Sequence, residues 1–211
     1  EEHITVFGVG AKYLGALEKS GIWPATDHSL SSLQTILSTG SPLPHESFEW
    51  VYRAFKSDLH LASISGGTDI VSCFVGGVPT LPVYPGQIQA PGLGMATAIW
   101  NEEGAAVEEE KGELGCTRAF PSCPVGFWQD PDGSKFHEAY FSRWSGIWAH
   151  GDYGEITPEG GYIIHGRSDA VLNPGGVRIG TAEIYRQVER VQEVLDSVVV
   201  GQAWQEDGRG V

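Results

Sequence analysis

Ser65-Gly66-Gly67-Thr68-Asp69 sets two glycines, a hydroxyl and a carboxylate side by side at the end of an apolar run. Paired glycines let backbone amides approach a phosphate, and a hydroxyl donates to it. A carboxylate beside them suits Mg²⁺, which prefers one or two carboxylates together with substrate phosphates. The same five residues also suit a plain tight turn. A second group joins Gly151-Asp152 to Gly166-Arg167-Ser168-Asp169. There a carboxylate can take both hydroxyls of a ribose, and an arginine fork can reach the same sugar or its phosphate. The alternative is a surface ion pair of small energetic weight. A third group, Asn173-Pro174-Gly175-Gly176-Val177-Arg178, stands ahead of a helix. Its glycines would open a path for a ligand and Arg178 would meet an anion; the other reading is a loop with a solvated arginine.

Other patterns do not complete a site. Gly8-Val9-Gly10 lacks the third glycine of a dinucleotide fingerprint, because Tyr13 stands in its place, and the chain has no Walker sequence. Asp130-Pro131-Asp132-Gly133 begins like a calcium loop, yet Lys135 falls where that loop needs glycine. Cys116 and Cys123 have no partners at zinc-like spacing.

The elements that must position these groups read as α/β. A helix is expected over Ala11 to Lys19, and a helix or turn near Ser29 with Leu30 and Leu33 on one face. Gln34 to Ser38 reads as a strand closed by Thr39-Gly40-Ser41-Pro42. Behind Pro44, the residues Phe48, Val51, Tyr52 and Phe55 recur at helical spacing, and His60 to Ser65 reads as the next strand. Strand, helix and strand with ligand-friendly loops is the layout of an open α/β sheet. From Val75 the chain is broken by Pro79, Pro82, Pro85 and Pro91, which points to a small β part. Ser134 to Trp144 reads as a helix, and Ile147 to Gly166 as a hairpin around Pro158-Glu159-Gly160-Gly161. A boundary falls near Arg167-Ser168-Asp169. Beyond it Thr181 caps a helix with Ile184, Val188 and Val191 on one face, and Leu195 to Val200 reads as a strand.

The net charge of −14 over 211 residues argues against a nucleic-acid partner, because duplex binding needs a basic surface. An anionic ligand on such a surface requires local arginines, helix N-termini or a divalent metal. No apolar run approaches the ~20 residues of a membrane helix, so no membrane partner is expected. Three scattered cysteines suit a reducing, cytoplasmic compartment. The chain opens at Glu1 and stops at Gly208-Arg209-Gly210-Val211, and is expected to be an internal excerpt.

Taken in order, His150-Gly151-Asp152-Tyr153, Gly161-Tyr162, Gly166-Arg167-Ser168-Asp169 and Arg178-Ile179-Gly180-Thr181-Ala182-Glu183-Ile184 resemble the adenylate-forming acyl-CoA synthetases across their interdomain hinge. The wording of Ser168 to Arg178 and of His60 to Asp69 is most similar to the members that activate acetoacetate. The resemblance covers nearly the whole chain. It implies that residues 1–168 are the later part of a large N-terminal domain, α/β over 1–74 and mainly β over 75–168. Residues 169–211 are then the hinge and the start of a small α+β lid domain.

The implied reaction joins a carboxylic acid to CoA at the expense of ATP, through an acyl-adenylate. By the same resemblance, Gly40-Ser41-Pro42 lines the adenine, Thr68 contacts phosphate and Asp69 holds Mg²⁺. Asp152 and Arg167 bind the ribose, Asp169 is the hinge, Arg178 reaches the nucleotide phosphate, and Gly176 lies beside the CoA tunnel. Gly66 falls where acetate-specific relatives carry a Trp that closes the acyl pocket. The family's Ser/Thr/Gly-rich phosphate loop and its C-terminal catalytic lysine have no counterpart here, so the excerpt alone is expected to be inactive. Open alternatives are a ligase for another short or medium acid, a non-catalytic nucleotide-binding homologue, and an acidic β-rich binding module.

Overall fold

The computed structural model describes residues 2–172, 179–188, 190–191, 193–194 and 196–201. Three strands, β1 (Val6–Gly10), β2 (Thr35–Thr39) and β3 (His60–Ser63), form a parallel sheet in the order β1-β2-β3. Ile36 lies between Phe7 and Leu61 across the two ladders. Helices α1 (Ala11–Lys19), α2 (Pro24–Asp27) and α3 (His45–Ala54) connect the strands. Helix α3 buries Phe48 and Val51 completely, one turn apart, and they join Leu14, Ile36 and Leu61 in one core. Helix α1 ends in a paired-bond reversal: Gly21 takes φ +65°, its amide donates to the Glu18 carbonyl, and the Ile22 amide donates to the Leu17 carbonyl.

Antiparallel pairing begins at Ser65. Strands β4 (Ser65–Gly67), β5 (Ser72–Gly76) and β6 (Ala90–Pro91) make one small sheet. A second sheet holds β7 (Thr97–Trp100), β8 (Ala106–Val107), β9 (Gly112–Cys116), β10 (Trp148–Ile156) and β11 (Tyr162–Arg167), in the order β11-β10-β9-β7-β8. Phe74, Ile99, Leu114 and Trp148 are the centre of a second core. Trp148 gathers Phe74, Phe120, Phe136 and Phe141 around its ring, and Tyr140 stacks on it with centroids 3.6 Å apart. Helix α4 (Ser134–Tyr140) supplies Phe136 and Tyr140 to that cluster; α5 (Thr181–Val188) packs on β11.

Helix Ala11–Lys19, the strand from Thr35, the helix behind Pro44 and the hairpin of β10 and β11 follow the sequence reading. The turn allowed near Ser29 forms at Ser31–Ser32, preceded by α2. Three places differ. Strand β1 was not anticipated; its two glycines hide an element that parallel pairing with β2 creates. Helix α4 stops at Tyr140 rather than Trp144: the Ser142 hydroxyl bonds back to the Glu138 carbonyl at 2.8 Å, and Arg143 is drawn to Glu113 at 3.1 Å. The strand expected over Leu195 to Val200 is not formed by the described residues 196–200, and Val191 lies beyond the end of α5. Leu195 itself lies outside the described residues.

Candidate functional site

Because β2 and β3 are parallel neighbours paired up to Ser38 and Ser63, the segments that follow them leave the same edge of the sheet. Gly40-Ser41-Pro42 follows β2, with Gly40 at φ +84°. The turn from β3 is short: the Ile64 amide still donates to the Ser38 carbonyl at 2.9 Å, and Ser65 already belongs to the next sheet. The carboxyl edge of a parallel sheet is where open α/β folds bind ligands.

Onto this edge β10 brings Asp152. Its pairing with β9 slips between Ala149 and Tyr153, so His150-Gly151-Asp152 bulges out of that ladder. Bulges of this kind re-aim side chains beside functional sites. The Ser65 hydroxyl donates to one Asp152 oxygen, and the Arg167 guanidinium lies 3.3 Å from the other and donates to the His150 carbonyl at 3.0 Å. Gly151, at φ +84°, lies directly under the guanidinium: a Cβ there would come within 2.2 Å of Arg167 Nη2. Asp152 and Arg167, paired by the family resemblance, are neighbours across the β10–β11 ladder. Asp169 follows in a single 3-10 turn, Ser168–Ala170, exposed, with its carboxylate 3.5 Å from Arg167 Nε.

Thr68 and Asp69 sit exposed at the β4–β5 tip. The Tyr140 hydroxyl donates to Asp69 Oδ2, and burial together with this bond pushes the phenol up to about 12. Tyr140 thus stays a neutral donor to the Asp69 carboxylate. Among the described residues no cluster of three or more His, Cys, Asp or Glu side chains could enclose a metal. A single exposed carboxylate fits Mg²⁺, which completes its shell with water and substrate phosphate.

Gly66 meets a crowded ladder. A Cβ there would lie 2.2 Å from the Ser72 carbonyl oxygen and 2.5 Å from Cys73 Cα, both backbone. A side chain at this position has first to part β4 from β5. Beneath the same turn, His150 is buried against the Phe74 ring, 4.7 Å between centroids, and neither ring nitrogen has a hydrogen-bond partner among the described residues. Burial pushes its pKa down, so the imidazole is neutral. Gly176 and Arg178 lie outside the described residues.

Sequence reasoning missed Glu113, Tyr140 and His150 as members of this neighbourhood. Tyr140 sits on a short helix with no pattern pointing toward Asp69, and His150, although it opens the run His150-Gly151-Asp152-Tyr153, was given no role of its own. Glu113, in Gly112-Glu113-Leu114-Gly115, is a lone carboxylate in a strand whose burial throughout is seen only in the structure.

No family model matches the chain. The acetoacetyl-coenzyme A synthetase of Rhizobium meliloti (strain 1021) is 60% identical over 210 residues, which is 100% of this chain and 32% of that protein. The acetoacetyl-CoA synthetase of Gallus gallus is 54% identical over 206 residues, 97% of this chain and 31% of the relative. Among solved structures, the acetoacetyl-CoA synthetase from Streptomyces lividans superposes with a TM-score of 0.86 at 48% identity, over 94% of this chain and 31% of that one. An anthranilate CoA ligase solved with anthranoyl-AMP shares the fold at a TM-score of 0.77 and 21% identity, over 95% of this chain and 37% of its own. The chain spans about a third of the length of the curated relatives it matches. Along its whole length the chain is similar, in sequence and in fold, to about a third of these acetoacetyl-CoA synthetases.

Proposed function

We propose that this chain contributes the nucleotide-binding edge and the hinge of a cytoplasmic ligase that makes acetoacetyl-CoA from acetoacetate, ATP and CoA. The observation that carries the reading is the joint placement of Ser65, Asp152 and Arg167 beside Thr68 and Asp69 at the carboxyl edge of the parallel sheet. In the first step a carboxylate oxygen of acetoacetate attacks the α-phosphorus of ATP and pyrophosphate leaves. In the second the CoA sulfur attacks the acyl carbon and AMP leaves.

The residues divide this work. Gly40, Ser41 and Pro42 line the adenine. Asp152 accepts from the ribose hydroxyls, held by Ser65 and Arg167. Thr68 donates to phosphate, and Asp69 would hold Mg²⁺, with Tyr140 orienting its carboxylate. When bound, Mg²⁺ supplies the positive charge that lets one anion approach another. Arg178 reaches the nucleotide phosphate, Gly176 borders the CoA path, and Asp169 is the hinge between a domain ending at 168 and a lid that begins at 169. The crowding at Gly66 favours a backbone role there over a place in the acyl pocket.

Pyrophosphate release by the full-length protein, measured with acetate, acetoacetate, butyrate and hexanoate, tests the assignment. Acetoacetate is expected to give the highest kcat/KM. Release that is absent with all four acids, or fastest with another of them, overturns it.

A further inference from the structure

Glu113 is 2% exposed in a strand that is buried throughout, and it accepts from three separate segments. Oε1 takes the Gly151 amide, while Oε2 takes the Ser168 hydroxyl and the Arg143 guanidinium, the latter at 3.1 Å. The first of these bonds has a clear cause. The slip in pairing between Ala149 and Tyr153 leaves the Gly151 amide outside the β9 ladder, where a buried N–H without an acceptor is costly. The Glu113 side chain supplies the acceptor that the β9 backbone does not. The second bond fastens the residue that directly precedes Asp169.

We infer that Glu113 is a positioning residue that clamps the β10 bulge, from which Asp152 projects, to Ser168 at the start of the hinge. The inference rests on the proposed ribose role of Asp152 and hinge role of Asp169. One carboxylate thereby keeps the sugar-binding pair and the pivot in fixed relation, and Arg143 balances its charge from the segment after α4. Glu113 acts through these groups and does not itself touch substrate. Burial raises its pKa, while the Ser168 and Gly151 donors and Arg143 pull it back down.

The test compares Glu113→Gln and Ser168→Ala in the full-length protein, by ATP–pyrophosphate exchange, by thioester formation and by amide hydrogen exchange over 148–156. Glu113→Gln is expected to raise KM for ATP by about ten- to a hundredfold and to speed exchange of the bulge amides, because a charge-assisted acceptor is lost. Ser168→Ala keeps the bulge clamped. It should leave KM for ATP within about twofold while changing the ratio of the two half-reactions by about threefold or more. Loss of activity only in proportion to loss of folded protein, with KM for ATP unchanged, overturns the role. So does an equal effect of Ser168→Ala on both half-reactions, a result that stands even if Glu113→Gln does not fold. Should the wild type form no adenylate, the ligase reading fails. The exchange comparison then decides the clamp alone, and protection of 148–156 that is the same with and without the Glu113 carboxylate refutes it.

Discussion

Gly151 and Gly160 offer a matched pair of alanine substitutions. Both lie in the β10–β11 hairpin in the left-handed region, at φ +84° and +81°. An alanine there costs about 1–2 kcal/mol in backbone strain at either position. At Gly160 the cost ends with that, since a Cβ would meet nothing within 4 Å. At Gly151 the Cβ would stand 2.2 Å from Arg167 Nη2 and 2.7 Å from Cζ. The guanidinium is the free end of a flexible side chain, so it moves. In moving it gives up the His150 carbonyl at 3.0 Å and Asp152 at 3.3 Å.

Arg167 is 54% exposed, so solvent screening limits each of those contacts to about 0.5–1 kcal/mol. Stability alone therefore separates the two variants by at most about 1–2 kcal/mol, without saying where the loss acts. Nucleotide affinity locates the loss: Gly151→Ala displaces the arginine fork proposed to cover the ribose and should bind ATP about tenfold more weakly, or about 1.4 kcal/mol. Gly160→Ala should bind as the wild type does while melting slightly lower. Calorimetric ATP titration and thermal melts of the full-length variants measure both quantities. Equal ATP affinity in the two variants refutes the placement of Arg167 over Gly151 in the nucleotide site.

Two further outcomes follow from the same geometry. Gly66→Trp in the full-length protein should depress kcat/KM for acetate and acetoacetate alike, because the added side chain first collides with the Ser72 and Cys73 backbone; competition kinetics that show selective loss of acetoacetate would restore Gly66 to the acyl pocket. Stability should fall as pH drops below about 6.5, at up to about 1.4 kcal/mol per pH unit for each histidine involved. Burial depresses the pKa of both His150 and His165, so the unfolded chain takes up protons that the folded one refuses. Glu113, whose pKa is raised, works in the opposite sense at lower pH. Melts from pH 7.5 to 5.5 check this, and His165→Gln should flatten part of the slope; a flat wild-type profile contradicts it.

What could be read beforehand followed local rules. Helices α1 and α3 declare themselves through apolar stripes, and the β10–β11 hairpin through its Pro158 to Gly161 turn. The hairpin made Asp152 and Arg167 legible as neighbours; their assignment to a ribose came only from the resemblance. The remainder depends on tertiary pairing. Strand β1 has little intrinsic preference with glycines at two of five positions, and exists because β2 offers it a ladder. Glu113 could not be assigned from its neighbours in sequence, since its partner amide is exposed only by a slip in another strand's register. Gly66 shows the converse. Its alignment with a pocket residue of relatives was visible, whereas the backbone that crowds its Cβ was not.

Strand β1 has a further consequence, for how the protein can be handled. It ends the parallel sheet's order, so its outer N–H and C=O groups have no ladder partner among the described residues, and Val6 is 52% exposed. Thr5-Val6-Phe7-Gly8-Val9-Gly10 carries none of the charges, prolines or kinks with which edge strands normally discourage pairing. Such a rim is a template on which a second chain can pair. The net charge of −14 opposes such association through repulsion that salt weakens. The 211 residues by themselves therefore carry an aggregation liability that rises with ionic strength, at an apolar edge unlike the polar surroundings of Asp152 and Arg167.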